Sequence, residues 1–217
     1  AGNIPQTKAA LRSAGLEPGS DIGLVPVGYG APAFRALTTG AVQALNLYEG
    51  MHVILETRGT KLRRLTYDEK FSKMFSDGFY THDDTIKNRG AMLAKFGRAV
   101  TKGIIACEAN REACTRAMWK HIPISKPVKG SEAEHLANSA KVSKARYRRV
   151  FAFEPGTPRK FGEYPSGSWR QFVDVLYAEG ELNTRDIAVD TLFTNEFVAD
   201  FNEFDAVAVR LQARAAK

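Results

Sequence analysis

The residues best suited to chemistry in this sequence sit at four short junctions: Gly2-Asn3-Ile4, Gly28-Tyr29-Gly30-Ala31, Asn46-Leu47-Tyr48-Glu49 and Tyr80-Thr81-His82-Asp83. Each is a small, polar or aromatic run that leads into a helix-forming stretch. The first N–H groups of a helix have no intrahelical acceptor, and the aligned peptide dipoles add partial positive charge there. Such a junction can hold an anion or a strongly polar group, which is the chemistry of binding rather than of bond making. Tyr48 adds an aromatic with no core duty in its loop, free to stack on a ring or to cover an apolar ligand. His82 can hydrogen-bond a ligand or fix the chain reversal. Gly28 and Gly30 suit turn geometry whether or not anything binds, and Asp83 and Asp84 suit capping of a helix from Thr85 as well as contact with a ligand.

Enzyme signatures are scarce. There is no G-x-S-x-G elbow, no phosphate-binding G-x-x-x-x-G-K-[ST] loop and no H-E-x-x-H. The four histidines, His52, His82, His121 and His135, are well separated. No catalytic residue, metal site or cofactor is therefore expected. Gly28-Tyr29-Gly30 lacks the third glycine of a dinucleotide fingerprint.

The formal charge of +7 and pI near 9.4 raise the question of nucleic acid. The cations are scattered, however, and the densest run, Lys141 to Arg149, holds a single aromatic, Tyr147. It reads as a solvated helix face, and no nucleic-acid partner is expected. No apolar run approaches the length of a membrane span. Cys107 and Cys114 are too few for a disulfide scaffold and lack C-x-x-C spacing, leaving a local bridge possible.

The elements that must position the junctions alternate in character. Residues 5 to 14 read as a helix stopped at Gly15. Ile22 to Val27 reads as a buried strand, Pro32 to Leu37 as a helix closing before Gly40, and Ala41 to Leu47 as a second strand. Glu49 to Thr57 reads as a helix ended by Gly59, and Lys61 to Leu65 as a third strand. Gly78 to Asp83 reads as one more strand, after a connection at 71–77. Beyond it the chain turns helical, with apolar stripes over 91–107 and 168–178, Asn110 as a fresh N-cap, and loops at 124–131 and 155–168. Alternation of this kind predicts a parallel sheet with crossover helices and ligand sites at the strand ends.

The junctions are also where the sequence resembles a known family, the substrate-binding proteins of nitrate, sulfonate, taurine and thiamine-precursor ABC importers. The matching stretches are Ala14-Gly15-Leu16 with Leu24-Val25-Pro26-Val27-Gly28, Ala33 to Leu37 running on to Gly40 through Leu45, Gly78-Phe79 through Asp83, and Leu192 to Phe197 ending at Asn202 to Asp205. The resemblance implies an α/β fold of the periplasmic-binding-protein type II kind, two lobes joined by a hinge around an interlobe cleft. It is incomplete here, because the first lobe's amino-terminal part, the opening strand of the second lobe and a signal peptide have no counterpart in the sequence. Residues 1–72 then correspond to the second lobe and 73–217 to the carboxyl-terminal, mainly helical part of the first. The implied ligand-binding set is Gly2, Asn3, Gly28, Tyr29, Asn46, Tyr48, Glu49, Thr81 and His82.

The implied function is capture of a small polar or anionic organic molecule and its delivery to permease subunits. The full-length protein would be a monomer, located in the periplasm or anchored outside the membrane. The alternatives are an enzyme of related fold that makes a pyrimidine precursor, and a ligand-sensing domain of a regulator. An oxidising compartment would permit a Cys107–Cys114 bridge, although two buried thiols would pack as well.

Overall fold

The computed structural model describes residues 3–66, 71, 78–148, 150–151 and 160–216. Gly2, Arg149 and the parts of the expected connections at 72–77 and 155–159 lie outside the described residues. The elements are helices: α1 Ile4–Ser13, α2 Ala31–Thr38, α3 Glu49–Thr57, α4 Asp83–Ala109, α5 Arg111–His121, α6 Glu132–Tyr147, α7 Ser166–Ala178, α8 Val198–Asn202 and α9 Ala206–Ala215. Single 3₁₀ turns occur at Pro123–Ser125 and Val189–Thr191.

The helix boundaries follow local chemistry. Pro5 and Pro32 lie in the first turns of α1 and α2, where a missing N–H costs nothing. Gly15, Gly59 and Gly180 end α1, α3 and α7 at φ between 74° and 90°. Each lets its own N–H and the following one turn back onto the last carbonyls, as in Gly15 N to Arg12 O (3.0 Å) and Leu16 N to Leu11 O (3.0 Å).

The expected strands are a correction. Residues 22–27, 41–47, 61–65 and 78–82 lie outside any ladder, Asp83 already belongs to α4, and only a single bridge joins Pro18 to Ile22. Among the described residues the predicted α/β layering is replaced by helices and connecting segments. Helix signals are local and close their own hydrogen bonds, whereas a strand exists only when a second backbone accepts its N–H and C=O groups. Among the described residues no such partner pairs with these segments, and Leu24 and Val25 stand 41% and 61% exposed.

The described residues gather into two units. The first comprises Ala1–Leu47, Leu62–Phe79 and Glu163–Asn195. In it α1 meets the end of α7 and the turn after it, through Lys8 and Glu181 (3.5 Å) and through Arg12 and Glu179, and Arg12 also pairs with Glu17. The Arg12 guanidinium holds the Glu17 carboxyl below the usual carboxylate range by hydrogen bonding to it. An aromatic cluster forms the floor: Trp169 stacks on Phe193 at 5.8 Å, and Tyr164 packs against both. The Asn195 side chain closes a two-way clamp on Tyr164, accepting from its N–H and donating to its C=O, both at 2.9 Å.

The second unit comprises Tyr48–Lys61, Tyr80–Gly162 and Glu196–Lys217. Its axis is α4, which departs from helical geometry at Arg89 (φ −133°, ψ 27°) beside Gly90. Phe197, the N-cap of α8, and Phe201 within it lie over Gly90 and Gly97. A Cβ at Gly97 would overlap the Phe201 ring, and one at Gly162 would stand 2.8 Å from it. Arg98 donates to the Asp200 carbonyl (2.8 Å), and Asn202 clamps Phe161 in the same two-way manner at 3.0 Å. Arg210 of α9 pairs with Glu108 of α4. At the elbow between α4 and α5, the Asn110 side chain accepts from Ala113 N (3.0 Å) and donates to the Ala213 and Ala216 carbonyls. Cys107 and Cys114 are joined by a disulfide across this elbow, their Cα atoms 5.1 Å apart.

Two stability measurements check this packing. Gly97→Ala displaces Phe201 and is expected to cost about 1–3 kcal/mol in urea unfolding. Gly103→Ala in the same helix meets open space and should gain up to about 1 kcal/mol. Reducing the Cys107–Cys114 bridge removes a constraint on a short loop and should lower stability by about 2 kcal/mol, read as a fall in Tm on adding dithiothreitol.

Candidate functional site

The four junctions sit at the starts of α1, α2, α3 and α4. At the first, Asn3 occupies the N-cap position of α1, yet its side chain does not cap the helix. Its Nδ2 donates instead to the Asn46 carbonyl at 3.0 Å, while the Asn3 carbonyl accepts from Thr7 N (3.0 Å) and Thr7 Oγ1 (2.7 Å). Asn46 Nδ2 donates to Thr7 Oγ1, closing a hydrogen-bonded ring of three residues through the Asn3 and Asn46 carbonyls. Asn3 and Asn46, 43 residues apart in sequence, are thus brought together, both half-buried. Thr7 is the member that sequence reasoning missed. Its signal is a hydroxyl one helical turn after Asn3, the spacing at which it can bond the carbonyl four residues back.

At the second junction Gly28 (φ 75°) and Gly30 (φ 72°) both lie in the left-handed region, which side chains resist. They hold Tyr29 between them, 57% exposed, and Gly30 is the N-cap of α2. At the third, Tyr48 is the N-cap of α3 and is likewise 57% exposed. Glu49 follows in the first turn, 3.7 Å from His52 Nδ1. At the fourth, Thr81 and His82 are exposed, and His82 is the N-cap of α4 without capping through its ring. Asp83 and Asp84 lie in the first turn of α4, where a negative charge favours the helix dipole, rather than ahead of it.

The helix starts at these junctions share one property. None of the N-cap side chains Asn3, Tyr48 and His82 accepts a first-turn N–H, and Gly30 has no side chain to offer. Asn110, Ser131 and Asp205 cap α5, α6 and α9 through side-chain oxygens, whereas α7 and α8 also start without a side-chain cap, at Pro165 and Phe197. The junction starts also divide by charge: α1 and α2 have no acidic residue in the first turn, whereas α3 carries Glu49 and α4 carries Asp83 and Asp84. An anion is therefore accepted more readily at α1 and α2, and a neutral polar or cationic group at α3 and α4.

Asn3, Gly28, Tyr29 and Asn46 belong to the first unit, and Tyr48, Glu49, Thr81 and His82 to the second. An open groove of about 660 Å³ runs along α1 and α7, lined by Ala9, Arg12, Arg170, Asp174, Val175 and Glu179 among others, and it contains none of the junction residues. Among the described residues no group of three or more His, Cys, Asp or Glu side chains is placed to hold a metal ion. No described helix is long and apolar enough to cross a membrane.

The chain finds no match among curated proteins or among solved structures. It does match the NMT1/THI5-like family, over residues 3–113. That family holds substrate-binding proteins of nitrate, sulfonate and taurine ABC transporters together with thiamine-precursor proteins, built on the periplasmic-binding-protein type II fold. The matched stretch opens at Asn3 and takes in α1 to α4 with all the described junction residues. Since residues 3–113 make up more than half of the 217, the chain belongs to the NMT1/THI5-like family.

Proposed function

We propose that this protein is the ligand-capturing component of an ABC importer. It takes a small polar or anionic organic molecule, of the nitrate, sulfonate, taurine or pyrimidine-precursor class, into an interlobe cleft and passes it unchanged to permease subunits. In this reading residues 1–72 form the second lobe and 73–217 the carboxyl-terminal part of the first.

The observation that carries the reading is the set of four helix starts whose N–H groups no N-cap side chain takes, all within the matched family region. N–H groups without a side-chain cap can replace the hydration of an anion without any covalent step. The ligand's anionic end goes to the Gly28-Tyr29-Gly30 turn at α2, where no carboxylate competes. Tyr29, in the same turn, offers a flat apolar face to the rest of the molecule. The reading carries with it a periplasmic or surface-anchored location, which the Cys107–Cys114 disulfide supports, because such bonds persist in oxidising compartments.

A thermal-shift screen of the purified protein against nitrate, methanesulfonate, taurine, small carboxylates and aminopyrimidines tests this. A ligand at about a hundredfold its Kd stabilises the folded state by about 2.7 kcal/mol, which for a chain of this length raises Tm by roughly 5–10 °C. Tyr29→Ala should weaken that ligand by about threefold to tenfold, with the unliganded Tm unchanged. The reading fails if no compound raises Tm, or if the ligand is recovered chemically altered after incubation with the protein.

A further inference from the structure

The segment joining α5 to α6 exposes its apolar side chains. Ile124 and Val128 are 96% and 97% exposed, Ile122 is 53% exposed, and Met118 at the end of α5 is also exposed. A single exposed aliphatic residue is ordinary, but these follow one another along one short stretch. Four residues of chain keep Ile124 and Val128 within about 14 Å of each other.

The base of the loop is well tied while its tips are not. Lys126 lies over the Trp119 ring, 5.4 Å from its centre, and pairs with Glu132 at 3.2 Å. That hydrogen bond holds the Glu132 carboxyl below the usual carboxylate range. Ser125 Oγ donates to the Ile122 carbonyl (2.6 Å), a ring nitrogen of His135 meets the Lys129 carbonyl (2.6 Å), and Ser131 caps α6. Pro123 and Pro127 further restrict the backbone. The two most exposed aliphatic side chains are therefore presented by a braced loop, not by a loose one.

The charge around the tips is positive. Lys120 and Lys129 have no ion-pair partner among the described residues, and His121 lies between Lys120 and Ile122. Of the nearby acids, Glu132 pairs with Lys126 and Arg116 and Glu112 pairs with Arg116, while Glu134, beside Gly130, forms no ion pair among the described residues. We propose that residues 118–130 dock the protein on an anionic lipid surface, Ile124 and Val128 entering the headgroup boundary and Lys120 and Lys129 meeting the lipid charges. Branched aliphatic tips with lysines suit lipid, since lysine stems lie along the acyl boundary while their ammonium groups reach the headgroups. Protein interfaces are instead centred on aromatic residues and arginine and are depleted in lysine. The inference is independent of the receptor reading.

Co-sedimentation of the purified protein with phosphatidylcholine vesicles, and with vesicles carrying one quarter phosphatidylglycerol, tests it. The wild type should partition into the anionic vesicles and not the neutral ones, and lose most of that binding in 0.5 M salt. Ile124→Ser with Val128→Ser should lower partitioning roughly tenfold or more, and Lys120→Glu with Lys129→Glu by at least as much, each lysine near the surface being worth about fivefold. All variants should keep the wild-type Tm, because the altered side chains are exposed. Equal binding to both vesicle types, or unchanged binding by either double variant, overturns the proposal. So does retention on immobilised polyglutamate without vesicle binding, which would assign the loop to an acidic protein instead.

Discussion

The Phe201 ring lies directly on the backbone of Gly97, with Gly162 closing on its other edge, and the second unit is organised around that approach. Interiors are close-packed, so two helices come this near only where one of them has no side chain. Because α8 is short, it could not hold its place by its own hydrogen bonds. Its position is secured by the Phe201 ring, by Arg98 on the Asp200 carbonyl, and by Asn202, the next residue, which grips Phe161. Further along the same helix, Glu108 pairs with Arg210 and Asn110 forms the elbow into α5.

The first unit uses aromatic mass where the second uses glycine. Trp169, Phe193 and Tyr164 form its centre, and Asn195 secures the Tyr164 backbone. The two asparagine clamps are the same device. A carboxamide has one strong acceptor and a donor pair at the spacing of a residue's own N–H and C=O, so it can stand in for a neighbouring strand. In a structure whose described residues form no ladder, these side chains supply the backbone pairing that a sheet would otherwise provide.

The binding reading and the packing are connected through helix ends. Helices α5, α6 and α9 are closed by their own Asn110, Ser131 and Asp205, which makes them self-sufficient. Helices α1 to α4, like α7 and α8, leave that duty unfilled, and Asn3, the one N-cap residue of α1 to α4 with good capping chemistry, turns its side chain toward Asn46. Unmet N–H groups are tolerable when water reaches them, and they become a binding resource when a ligand displaces that water.

Much of the helical part of this structure was legible in the residues. The stops at Gly15 and Gly59, the helix over Glu49–Thr57, the cap at Asn110 and the start of α2 beside Pro32 all arise from interactions within a few positions of one another. The membership of Asn3 in a ring with Thr7 and Asn46, the seat of Phe201, and the closure of Cys107 on Cys114 rather than two packed thiols were decided by tertiary structure. So was the fate of residues 22–27 and 41–47, whose apolar, β-branched composition predicts strands. Composition reports what a segment would do beside a partner, and only the folded chain determines whether a partner is there, because the hydrogen bonds of a strand belong to two segments and those of a helix to one.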